Sequence, residues 1–93
     1  MERLSDQEID ALRKQIDPRW SREGDALVLE LELADFGAAI AMVDRIAEAA
    51  ERANHHPDLL VHGYKRLRVT LSTHSAGGIT ERDFALARTI DAL

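Results

Sequence analysis

The chain has 93 residues, a length that supports one hydrophobic core and not two. With 45% hydrophobic and 31% charged residues it has a globular composition, and its net charge of −5 makes it a poor non-specific ligand for nucleic acid. It has no cysteine, which excludes disulfides, cysteine-based zinc sites and thiol nucleophiles. No apolar run approaches the ~20 residues of a membrane-spanning helix, and the N-terminus lacks a signal-peptide pattern, so no membrane association and a cytoplasmic location are expected. The expected organisation is a single domain over residues 1–93. So small a core, with only 4% aromatic residues, predicts self-association.

The first helix starts at Ser5, whose spacing from Glu8 is that of a capping box, with Leu4 and Ile9 as a hydrophobic staple. Ile9, Leu12 and Ile16 follow at helical spacing, and Pro18 marks the end of the pattern. Trp20 lies in a short segment as a core anchor, and Glu23-Gly24-Asp25 is a turn. Leu27, Leu29, Leu31 and Leu33 then alternate with Val28, Glu30 and Glu32, as in a half-buried strand paired antiparallel with the Trp20 segment.

Asp35 is placed to cap a second helix from about Phe36 to about Ala53. Its apolar row is read as Phe36, Ile40, Val43, Ala47 and Ala50, widened by Met42 and Ile46, opposite Asp44, Glu48, Glu51 and Arg52. Pro57 disfavours helical geometry at His56, so the helix ends near Asn54. Two strands follow, Leu59 to Tyr64 and Leu67 to Thr73, joined around Gly63 to Arg66. In the second, Leu67, Val69 and Leu71 face one way, while Arg68, Thr70, Ser72 and His74 face the other. Thr80 and Asp83 have cap spacing at the start of a third helix whose apolar face includes Phe84, Leu86, Ala87, Ile90 and Leu93. The fold predicted is α+β, a four-stranded antiparallel sheet with helices packed on one face, in the order αββαββα.

Four histidines are the main carriers of chemistry, because imidazole is the side chain best matched to proton transfer near neutral pH. His55 and His56 fall at the end of helix two and His74 at the end of the last strand, while His62 reads as a surface residue. Glu51, four residues before His55, reaches that ring if the helix persists through the turn. The simpler readings are a helix-end surface pair for His55 and His56 and a solvated strand residue for His74. Adjacent histidines usually diverge and no HExxH spacing occurs, so no metal site is expected. Ser72 and Ser75 beside His74 lack the GxSxG elbow of a hydrolase, and Gly77-Gly78 is read as a turn.

Four segments taken together carry more. Glu51-Arg-Ala-Asn-His-His-Pro-Asp58, Tyr64-Lys-Arg-Leu67, Leu71-Ser-Thr-His74 and Gly78-Ile-Thr-Glu-Arg-Asp83 resemble the pterin-4a-carbinolamine dehydratases (4a-hydroxytetrahydrobiopterin dehydratases). The resemblance spans nearly the whole chain, and its most specific part pairs E-x-x-x-H-H-P with L-S-T-H. It implies a hydro-lyase that converts 4a-hydroxytetrahydropterin to quinonoid dihydropterin and water, recycling the pterin used by an aromatic amino acid hydroxylase. It implies a homodimer or homotetramer, and catalytic roles for His55, His56 and His74. Pterin contacts are implied for Glu51, Asn54, His55, His56, Ser72, Thr73, His74 and Ser75, with no metal or organic cofactor. On this reading His55 and His74 do the acid/base work, His56 positions substrate, Glu51 orients His55 or binds the ring's N–H edge, and Asp83 is a catalytic candidate or only a cap. Leu59 and Leu60 stand where many relatives carry Trp, which removes a flat aromatic wall. The alternative is a non-catalytic dimerisation or assembly protein on the same fold, using the alanine-rich surface of helix two.

Overall fold

A computed structural model describes residues 2–93. Its elements are α1 (Asp6–Leu12), β1 (Ser21–Glu23), β2 (Ala26–Glu32), α2 (Phe36–Ala53), β3 (Asp58–His62), β4 (Arg66–Leu71) and α3 (Glu81–Asp91). The four strands form one antiparallel sheet in the order β1-β2-β4-β3, so two hairpins are joined through β2 and β4 by the α2 crossover. Leu27, Leu29, Leu67, Val69 and Leu71 lie on one face and pack with Ile9, Ile46, Phe84 and Ile90 of the helices. The opposite face carries charge: Arg68 sits between Glu30 (2.7 Å) and Glu23 (2.6 Å), and Arg66 reaches Glu32 at 3.4 Å. The predicted α+β architecture and its element order hold.

Both outer helices start where their caps placed them. Ser5 and Glu8 exchange bonds reciprocally, as do Thr80 and Asp83, and the Asp35 carboxylate accepts from the Ala38 N–H at 2.8 Å. Trp20 is buried as expected. Its indole N–H donates to Asp91 Oδ1 at 2.8 Å, and the other oxygen of that carboxylate takes the Asp17 N–H, which ties the end of α3 to the entry of β1.

Two elements differ from the expectation. The first helix is α-helical only to Leu12 and tightens into a 3₁₀ turn over Arg13–Gln15, after which Ile16 is extended and buried. On α2 the inward row is Ala39, Ile46, Ala49 and Ala50, whereas Phe36 (55%) and Ile40 (39%) are exposed. Phe36, Ile40 and Ala47 lie about a quarter-turn round the helix from that row. Of the expected residues, Ala50 and Ile46 are buried and Met42 and Val43 pack against the core from the side. Among the described residues no helix is long and apolar enough to cross a membrane.

Candidate functional site

The site begins where α2 stops. Asn54 adopts the left-handed conformation (φ 49°), and the two bonds of a Schellman motif follow: Asn54 N–H to Glu51 O at 3.2 Å and His55 N–H to Ala50 O at 3.1 Å. Asparagine tolerates this conformation better than other residues with a Cβ. The reversal takes His55 off the helical track, so the i,i+4 alignment with Glu51 predicted for it does not form. Glu51 instead faces His56, with Oε2 3.3 Å from Nε2, and both side chains are exposed. The expectation that Glu51 orients His55 is corrected: it required the helix to continue through Asn54.

The partner of His55 comes from the other end of the chain. His55 is buried, with 7% of its surface exposed, and its Nε2 lies 2.5 Å from Oδ1 of the fully buried Asp83. The second oxygen of Asp83 accepts from the Thr80 N–H (2.9 Å) and the Thr73 hydroxyl (2.8 Å), and the Thr73 and Thr80 hydroxyls are 2.8 Å apart. The neighbouring Arg82 donates to the carbonyl of Asn54. The first turn of α3 thus grips the 54–55 segment through Arg82 and Asp83, and the Thr73 segment through Asp83 and Thr80.

His74 is not the outward residue of a strand. β4 ends at Leu71, Thr73 makes one isolated bridge to Gly78, and His74 opens a 3₁₀ turn over His74–Ala76. Gly77 closes that turn at φ +70°, a conformation that favours glycine. His74 and Ser75 are exposed.

A groove of about 260 Å³ brings the segments together, with Asn54, His55 and His56 on one wall, Ser72 to Ser75 on the other, and Arg82 at its edge. A second compartment of about 400 Å³ adjoins it, sharing Ser72 and His74 and reaching Asp25, Asp58 and Thr70. Seven of the eight predicted site residues therefore line one groove, and Glu51 stands behind His56. The Thr73 hydroxyl is committed to Asp83 and Thr80, so any contact Thr73 makes with a ligand uses its other atoms. Ser72 donates its hydroxyl to Asp25 O at 2.8 Å. His62 lies outside, facing Glu30 across the charged sheet face at 3.4 Å. Sequence reasoning assigned Arg82 no role and left Asp83 between two roles. The Thr80–Asp83 cap spacing was visible, but its burial against His55 was not. Chemically the groove offers one buried imidazole backed by a carboxylate, two exposed imidazoles, and hydroxyl and amide groups suited to a polar planar ligand.

Comparison with known proteins bears on the same residues. The family model for pterin 4 alpha carbinolamine dehydratase matches residues 2–93. A protein of Nocardia farcinica is 51% identical over 92 residues, covering 99% of this chain and 95% of its own length. One of Thermomicrobium roseum is 50% identical over 93 residues, covering 100% and 98%. Both are provisionally named pterin-4-alpha-carbinolamine dehydratases. Among solved structures, a Brucella melitensis protein described as a transcriptional coactivator/pterin dehydratase superposes with a TM-score of 0.89 at 32% identity, over 98% of this chain and 97% of that one. A pterin dehydratase-like protein described as a RuBisCO assembly factor in the alpha-carboxysome shares the fold, with a TM-score of 0.61 at 23% identity over 80% and 84%. With the full-length match and the histidine groove in agreement, the chain belongs to the pterin 4 alpha carbinolamine dehydratase family.

Proposed function

We propose that this chain catalyses the dehydration of a 4a-hydroxytetrahydropterin to the quinonoid dihydropterin. The observation that carries the reading is the convergence of His55, His56 and His74, from two distant segments, on one groove. The reaction moves two protons and no net electrons. The C4a–O bond breaks as the N5 lone pair forms the C4a=N5 bond, one proton goes to the departing hydroxyl, and the proton of N5 is taken up by a base. His55 and His74 share these two transfers, each worth roughly 10²–10⁴-fold. His56, paired with Glu51, holds the pterin, while Asn54, Ser72, Ser75 and the Thr73 segment complete its contacts. The substrate is supplied by a reaction that hydroxylates C4a of a tetrahydropterin, which links the chain to an aromatic amino acid hydroxylase. The exposed Phe36 and Ile40 on α2 support self-association of the working protein.

A second reading, a binding or assembly protein, draws on the same exposed α2 stripe and on the coactivator and assembly roles described for the two structural relatives. One measurement separates them. Purified protein is added to 4a-hydroxytetrahydropterin generated in situ by a phenylalanine hydroxylase, with chelator added after generation. The dehydratase reading expects acceleration above the spontaneous rate, unaffected by chelator and lost in His74→Ala. A folded wild-type sample that leaves the spontaneous rate unchanged overturns it in favour of the binding reading.

A further inference from the structure

We infer that Arg3 is a positioning residue for His74: from the segment ahead of α1 it holds the closing end of the turn that carries this imidazole. The inference rests on the dehydratase reading for what His74 does, while the tether itself is argued from contacts. Little packing fixes the turn, since His74, Ser75 and Gly77 are exposed. Its own bonds are internal: Ala76 N–H to Thr73 O at 3.0 Å, Gly77 N–H to His74 O at 3.1 Å, and Thr73 N–H to Gly78 O at 2.9 Å. Such bonds keep the shape of the loop but do not fasten it to the rest of the domain. Upstream it is fastened at Thr73, whose hydroxyl lies 2.8 Å from that of the buried Thr80. Downstream come Gly77 and Gly78, the two residues of the segment with the most backbone freedom.

Arg3 and Leu4 supply the downstream fastening. The Leu4 N–H donates to Ile79 O at 2.8 Å and the Leu4 side chain packs against the core, which sets this segment alongside the loop. From there the Arg3 guanidinium donates through Nη1 to Gly77 O at 3.3 Å, at the end of the turn opposite His74. The stem of the arginine lies over the buried Gly78. A Cβ on Gly78 would stand 3.1 Å from Arg3 Cδ and 3.4 Å from Arg3 Cβ, so the arginine occupies the space that a side chain there would need. Gly78, unlike Gly77, has no positive φ, so close approach and not backbone conformation requires glycine at this position.

Two substitutions in the full chain test this from opposite sides. Arg3→Ala removes the donor, and Gly78→Ala adds a methyl group that pushes the arginine off Gly77. Backbone nitrogen-15 order parameters, measured without substrate, should fall for residues 74–77 from about 0.85 to about 0.6 in either variant, with the central strands unchanged. A loosely held imidazole spends less time in the reacting geometry, so kcat should fall about 10-fold with KM within about twofold of wild type. Because both variants break one contact, the double variant should lose no more than either alone. A role in stability alone would move the urea midpoint and leave kcat at the wild-type level wherever the chain is folded. A folded Arg3→Ala with wild-type order parameters, or with wild-type kcat, overturns the inference, and so do losses that add in the double variant. Absence of wild-type turnover would count against the dehydratase reading, while the order parameters would judge the tether separately.

Discussion

The two capping boxes of this chain share one local motif and differ in what surrounds it. At α1, Glu8 Oε1 accepts from the Ser5 N–H at 2.9 Å, the Ser5 hydroxyl accepts from the Glu8 N–H at 3.2 Å, and both residues stand in solvent. At α3, Asp83 Oδ2 returns the same bond to Thr80 N–H at 2.9 Å, but the carboxylate is fully buried and its other oxygen meets His55. Hydrogen bonds from the Ser5 backbone and then its side chain hold the Glu8 carboxyl below its ordinary value of 4.5, and nothing else depends on that group. The carboxylate of Asp83 closes a helix end, anchors Thr73 beside His74 and holds His55. A capping residue therefore acquires a functional part when the chain leaving a central strand and the end of a neighbouring helix bury it, whereas the α1 cap stays exposed.

Substitutions can break this contrast. The largest effect is expected from Asp83→Ala, which leaves the Thr80 N–H, the Thr73 hydroxyl and His55 facing an apolar methyl group. Removing one member of a buried, hydrogen-bonded pair costs about 3–5 kcal/mol, a large part of the stability of a small domain. Urea unfolding should show that loss, and the variant should also lose turnover. Ser5→Ala removes only a surface cap, so the same assay should show about 1 kcal/mol and turnover should stay at the wild-type level. The smallest effect belongs to Glu8→Gln and appears only as a change in pH dependence. Because the folded-state value of Glu8 lies below its unfolded value, its stabilising contribution is fully present above about pH 4.5 and is lost as pH falls through the folded-state value. The wild type should therefore lose more stability than Glu8→Gln between about pH 6 and about pH 3. Equal losses in the two proteins would show that the reciprocal bond of the first cap has no energetic weight.

Much of this architecture was legible in the chain because its signals are local. Ser5, Asp35 and Thr80 announce three helix starts through contacts within three or four residues. The alternation from Leu27 and from Leu67 marks the two central strands, and the histidine motifs together with the resemblance they carry name every residue that lines the groove except Arg82. What was not legible depended on packing. Of the apolar row expected on α2, Ile46 and Ala50 are buried and Met42 and Val43 pack against the core. Phe36, Ile40 and Ala47 are exposed while Ala39 and Ala49 take the inward places, because hydrophobicity along the chain does not fix how the helix is rotated on the sheet.

The partner of His55 shows the same division at the site. Helical spacing nominated Glu51, but one left-handed residue, Asn54, takes His55 out of register with it and turns the ring toward α3. His55 and Asp83 are separated by 28 positions, and their contact exists only once α2, β4 and α3 have docked. Caps and strand alternation are settled by neighbours along the backbone. Burial of a carboxylate against an imidazole is settled by which distant surfaces exclude water together, and that belongs to the tertiary structure.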